Sequence, residues 1–158
     1  MSLLDVFQWC EGSTVGTAIR SSSWLFPVIE AFHLLALGLV GGAVLLVDFR
    51  LFGMGLRRQP VAQVALDAQP WLVGGLATMI LSGSLLFFSE SVKCYYSWAF
   101  RMKMLLLLLA VVFTFTVRRR AATADDPSTA PLWNKIVAVV SLTLWLGVGV
   151  AGRWIGFS

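Results

Sequence analysis

Between Ser21 and Val47 the chain reads SSSWLFPVIEAFHLLALGLVGGAVLLV, with Glu30 and His33 as its only ionisable side chains. A helix that crosses a bilayer needs about 20 predominantly apolar residues, and a helix apolar on every face has no side to offer to water. Working outward, Ala68 to Ser89 holds no ionisable residue. The Leu-rich run from Met104 to Val117 reaches full length by extending back through Lys103 and Arg101 to about Ser97. Ile136 to Gly152 is apolar again and continues past Arg153. The expected architecture is all-α: a four-helix transmembrane bundle forming one membrane domain over 1–158, with spans at about 22–48, 69–89, 97–117 and 133–154.

The whole composition agrees. Of 158 residues, 58% are hydrophobic and 13% charged, about half the charge of a typical soluble domain. Mean hydropathy is +0.83, which excludes intrinsic disorder. Two cysteines are too few for a disulfide scaffold. The N-terminus carries Asp5 and Glu11 and no early basic residue, the wrong pattern for a signal peptide. Leu3, Leu4, Phe7 and Trp9 instead suit a short amphipathic helix at the membrane interface.

A net charge of +4 and a pI near 9.6 would suggest nucleic acid in a soluble protein. Here the basic residues punctuate apolar runs, so they read as topology determinants and no nucleic-acid partner is expected. Arg50, Arg57, Arg58, Arg118, Arg119, Arg120 and Lys135 fall to one side of a four-span chain; Arg20, Lys93, Arg101, Lys103 and Arg153 fall to the other. The excess, sharpened by the arginine triplet, predicts a bacterial inner-membrane protein with the triplet cytoplasmic and both termini periplasmic. Cys10 and Cys94 then share the oxidising side, either bridged or as two free thiols.

Ionisable groups inside a membrane are costly and mark function by default. Glu30 and His33 are neighbours on one helix surface, and Leu37, Gly41, Val44 and Asp48 continue that stripe. Gly38, Gly41 and Gly42 are expected to make room for a close neighbour or a flat ligand. His33, the only histidine, reads either as an axial haem ligand, a metal or proton site, or as a histidine hydrogen-bonded to Glu30 or a helix hydroxyl. Arg101 and Lys103 open the third span on the same side, available to a carboxylate or a propionate, or else snorkelling to headgroups. Arg153 is placed to pair with Glu30, so that Glu30, His33, Lys103 and Arg153 are expected in one polar cluster. Met102 and Met104 are soft ligands suited to Cu(I), although an i, i+2 pair points to different faces. Around Asp48, Asp48-Phe49-Arg50 reads as a local ion pair before a glycine stop at Gly53. Small residues of the second span, Gly74, Gly75, Thr78, Ser82, Gly83 and Ser84, read as close helix packing.

These residues resemble a known group. The first-span histidine, the glycine-rich run, Val47-Asp48-Phe49-Arg50-Leu51-Phe52-Gly53, the Phe100-x-x-Lys103 opening and the terminal Gly152-Arg153-Trp154-Ile155 look like uncharacterised bacterial four-helix membrane proteins. More distantly, the layout resembles the copper-resistance D (CopD) membrane domain and the HemJ-type haem-binding membrane proteins. The second resemblance implies haem b with His33 as ligand and carries over Lys103, a position that matters in that group, but it does not imply that group's enzymatic activity. Three functions are therefore carried forward. One is a b-type haem-binding redox or accessory protein with His33 as axial ligand and Arg101, Lys103 or Arg153 near the propionates. Another is a metal-handling protein, with copper at His33, Met102 and Met104, or a small-solute transporter using Glu30, His33 and Lys103. The third is a non-catalytic structural or assembly subunit of a larger membrane complex, and the cofactor is expected to be haem b, copper or none. The expected partners are the lipid bilayer and either a second copy or a larger membrane complex.

Overall fold

The computed structural model describes residues 2–55, 58–124 and 131–156. The described residues are helical, with no strand among them. Two short helices lead, α1 (Leu3–Glu11) and α2 (Thr14–Ser21). Each starts on a serine cap: Asp5 N–H donates to Ser2 Oγ at 3.2 Å while Ser2 N–H donates to Asp5 Oδ2 at 2.7 Å, and Gly16 N–H donates to Ser13 Oγ at 3.1 Å. Reciprocal bonds of the first kind satisfy two backbone donors at once.

The long helices follow. They are α3 (Leu25–Phe52) and α4 (Val61–Ser89), then, after short α5 (Ser91–Tyr96), α6 (Trp98–Phe113). Helix α6 runs without a break through a π-helical segment, Thr114–Arg118, into α7 (Arg119–Ala122), and α8 (Pro131–Ile155) ends the fold. Among the described residues, four stretches are long and apolar enough to cross a membrane: Leu25–Phe52, Val61–Ser89, Trp98–Ala122 and Pro131–Ile155. The protein is an all-α, multi-pass membrane bundle with short N-terminal helices. At 1.5 Å per residue the four stretches measure roughly 38–44 Å, longer than the ~30 Å hydrocarbon core, so their ends reach the headgroups.

α3 stops where a glycine permits it. Gly53 adopts φ +88°, and Met54 N–H donates back to Phe49 O at 2.8 Å, a left-handed cap that a Cβ would strain. Helix α3 packs along α4 and α8, and α8 packs along α6. The order across the bundle is thus α4, α3, α8, α6, and α4 and α6 do not pack along each other. The core uses helical spacing: Ala36, Val40, Ala43, Val44, Val47 and Leu51 of α3 meet Val64, Ala68, Leu72, Leu76 and Met79 of α4, with Val137, Ala138, Trp145 and Val148 of α8. The opposite faces are equally apolar; Leu35, Leu81 and Leu146 are about 70% exposed, at 71%, 69% and 70%, as lipid-facing positions must be.

Between α3 and α4 the close approach comes from the glycines of one helix only. Gly38, Gly41 and Gly42 face open space, whereas a Cβ on Gly75 would lie 2.9 Å from Val40 Cγ2 and 3.4 Å from Ala36 O. Gly75 of α4, not the glycine run of α3, lets the two backbones meet. Of the basic residues assigned to one side, Arg50, Arg118, Arg119, Arg120 and Lys135 belong to helices, and Arg57 lies outside the described residues.

Candidate functional site

Where α4 and α6 part, a cavity of about 430 Å³ lies between them, lined by Phe7, His33, Met79, Ile80, Gly83, Ser84, Phe87, Phe88, Phe100, Lys103, Met104 and Leu107. This volume falls within the usual range for small-molecule and cofactor sites, about 300–1,000 Å³. Its depth follows from helix rise. Lys103 lies five residues inside α6 and His33 eight residues inside α3, roughly 8 Å and 12 Å below those helix ends.

The ring of His33 is fixed by α4. His33 Nδ1 lies 2.9 Å from Ser82 Oγ. The single Ser82 hydroxyl hydrogen is directed to Thr78 O at 2.6 Å, so Ser82 Oγ accepts and Nδ1 donates. In the tautomer that this pairing selects, Nδ1 carries the proton and Nε2 keeps a lone pair. A neighbouring glycine makes the fit possible: a Cβ on Gly83 would stand 3.1 Å from His33 Cε1. Ser82 is therefore more than a packing residue, which its place among small residues did not reveal.

Lys103 enters from α6 and rests against α8, where a Cβ on Gly152 would lie 3.3 Å from its Cε and Nζ. It is half-buried and has no ion-pair partner among the described residues. A lone ammonium in an apolar wall favours an anionic group. Above it, Phe7 packs edge-on against Phe87 and Tyr95, both at 5.3 Å, and Phe87 stacks on Phe100 at 5.7 Å.

The α1–α2 pair is clasped over this end. Val92 N–H donates to Glu11 Oε2 at 2.7 Å, Arg20 pairs with Glu11 at 2.9 Å, and Arg20 also donates to Ser89 O at 3.2 Å. Gly16 abuts α4 so closely that a Cβ would come within 2.3 Å of Phe88 O. Cys10 and Cys94 are free thiols. Burial, reinforced by the Glu90 carboxylate, pushes the Cys94 thiol up to about 11.

Of the four residues expected in one cluster, the structure brings His33 and Lys103 to the cavity. Glu30 and Arg153 are exposed and do not line it. Arg153 sits close to its helix end, where a charged head reaches the interface; Glu30 lies as far inside α3 as Lys103 does inside α6, on an exposed face. Arg101 also points away, donating to Tyr95 O at 2.8 Å and lying over the Tyr95 ring. Met104 lines the cavity and Met102 does not, as their spacing requires. Met79 supplies a second thioether that the sequence did not single out. No group of three His, Cys, Asp or Glu residues that could hold a metal ion occurs among the described residues.

A second polar centre lies at the other end of the bundle. Asp48 is fully buried, and Arg118 Nε donates to its Oδ1 at 2.6 Å. Arg118 Nη2 donates to Val44 O at 3.0 Å. The local Asp48–Arg50 pair does not form; Arg50 Nε donates to Gln59 O at 2.8 Å. Arg118 stands four residues after buried Thr114 and shares its inward face across a π-helical segment, while Arg119 and Arg120 remain exposed. Trp145 Nε1 pins the start of the segment by donating to Thr114 Oγ1 at 3.0 Å. Ser141 approaches the Asp48 carboxyl, but neither Asp48 Oδ2 nor Ser141 Oγ has a hydrogen-bond partner of good geometry.

Residues 6–158 match the sequence profile of a family of unknown function, DUF6644. No curated protein and no solved structure matches the chain.

Proposed function

We propose, for a chain that belongs to the DUF6644 family of unknown function and inherits no activity from it, that the His33–Lys103 cavity holds a b-type haem and that the protein serves as a membrane redox or accessory protein. The observation that carries this reading is the His33 ring: Nδ1 is engaged by Ser82, leaving Nε2 as the lone pair a haem iron takes from a histidine. Three further features support it. The cavity has cofactor size and aromatic walls. Lys103 offers a positive charge to a propionate. Met79 and Met104 line the same space, and a thioether is a known partner to histidine at a haem. When bound, the haem supplies one-electron chemistry; the protein orients it and excludes water.

The resemblance to HemJ-type proteins adds only His33 and Lys103 to this argument. A copper site built on His33, Met102 and Met104 is less well supported, because Met102 stands outside the cavity. A transporter site using Glu30 loses that carboxylate to the exposed surface. For orientation, we propose the bacterial inner membrane, with Arg58, Arg119 and Arg120 on the cytoplasmic side and both termini periplasmic.

The test is a visible spectrum and metal analysis of the full chain purified in mild detergent. The expected result is a Soret band and iron, with the band lost in His33→Ala and kept in Arg101→Ala and Arg153→Ala. Colourless wild-type protein that takes up no added haemin, or copper in place of iron, would overturn the reading.

A further inference from the structure

The cavity is capped by side chains at its outer end and flanked by exposed residues at its side. At its water end stand the aromatic cluster of Phe7, Phe87, Phe100 and Tyr95 and the clasp that Glu11 makes with Val92 and Arg20. At its side there is no wall, because α4 and α6 do not pack along each other. The rims of that gap are exposed within membrane-spanning helices: Ile80 is 52% and Met104 48% exposed, and Ser84 is exposed as well. Exposure at such positions is exposure to acyl chains.

The lining is ordered by depth. Lys103 is shallow, roughly 8 Å below the start of α6, while Met79 and Leu107 lie roughly 14–15 Å below the ends of their helices. A positive charge near the headgroup boundary above an apolar chamber complements a molecule with an acidic head and an apolar body.

We infer that this cavity is loaded from the acyl-chain layer, through the gap between α4 and α6, by an acid-bearing amphiphile whose acid group comes to Lys103. The inference deepens the haem reading, since haem partitions into membranes and carries two propionates, but it rests on the portal and on Lys103 rather than on iron. The ligand diffuses sideways out of the bilayer without crossing the α1–α2 roof. Lys103 selects the acid from neutral lipids of similar shape.

The test needs no haem. A bimane fluorophore is attached at Leu107→Cys in a Cys10→Ser, Cys94→Ser background, and the full chain is reconstituted in phosphatidylcholine vesicles. Three quenchers are compared: iodide in the water, a chain-brominated long-chain fatty acid, and its methyl ester. The expected result is little quenching by iodide and strong quenching by the acid, at about tenfold lower membrane concentration than by the ester, as a charge-assisted contact would give. Lys103→Met should abolish that difference while leaving quenching by the ester unchanged. Quenching by iodide before the brominated chains would overturn the lateral portal. Equal action of acid and ester on the Lys103 protein would overturn the ligand class. Either failure leaves the Soret test standing, and a colourless protein that passes here would discard haem and keep the acid-bearing amphiphile.

Discussion

Replacing Arg118 by methionine should destabilise the bundle by about 3–5 kcal/mol, the usual cost of removing one partner from a buried ion pair. The structure gives the reasons. Asp48 is fully buried, Arg118 is 5% exposed, and they meet at 2.6 Å. Two unit charges about 4 Å apart attract by about 4 kcal/mol at an effective dielectric near 20. Asp48 Oδ2 already lacks a hydrogen-bond partner, so without Arg118 the carboxylate loses its only charge-assisted donor. Removing both charges is a different perturbation. Asp48→Leu with Arg118→Met replaces the pair by apolar groups of similar volume, and it should recover most of the loss. The assay is a double-mutant cycle on the full chain in mixed micelles, unfolded with increasing dodecyl sulfate and followed by tryptophan fluorescence. A loss below about 1 kcal/mol in Arg118→Met, or a double variant no more stable than the single, would refute this account of the pair.

Three other expectations follow from the site. Ser82→Ala should weaken haemin binding by about 10- to 100-fold, as is usual when a ligand histidine loses its outer partner; titration by the Soret band reads this, and unchanged affinity would remove Ser82 from the site. Gly16→Ala should destabilise the protein by about 1–3 kcal/mol through overpacking, because its Cβ would lie 2.3 Å from a backbone oxygen of α4; thermal unfolding that matches wild type would show the α1–α2 clasp to be dispensable. At pH 8 alkylation should reach Cys10 and spare Cys94. With its thiol pushed up to about 11, Cys94 is about one part in a thousand thiolate at that pH, and its labelling should rise about tenfold per pH unit toward 11. Equal labelling of the two at pH 8, read by mass spectrometry, would contradict the burial of Cys94.

The spans were legible because they rest on a quantity summed over 20 or more residues. The apolar runs around Val44, Met79, Leu107 and Val148 leave no soluble alternative. Helix edges were less legible, since α4 begins at Val61, where Gln63 and Asp67 hide a helix that has left the hydrocarbon. His33 and Lys103 stood out because ionisable residues are rare inside a bilayer. Their partners did not. Ser82 differs from Ser84 only in facing, and facing depends on how α4 meets α3 at Gly75. Glu30 looks like a natural companion to His33 at i, i+3, yet His33 turns to Ser82 of α4 while Glu30 stays on an exposed face. Asp48 was legible as an interior residue, but its true partner was concealed in a triplet that reads as a headgroup anchor. A fixed 100° per residue cannot anticipate the extra residue of a π turn, and Arg118 is the arginine that shares the inward face of Thr114, four residues before it.

That extra residue has a consequence for how the gene can change. The wide turn takes up the extra residue locally, so a chain one residue shorter between Thr114 and Arg118 would close into a regular helix with its span almost intact and the following arginine still directed inward. Keeping the residue and forcing the turn to be regular is the damaging change: everything after it would rotate by about a quarter turn, and Asp48 would face an empty place. Single-residue length changes in this segment should therefore be tolerated with an acidic residue kept at position 48, whatever else drifts along the lipid-facing surface.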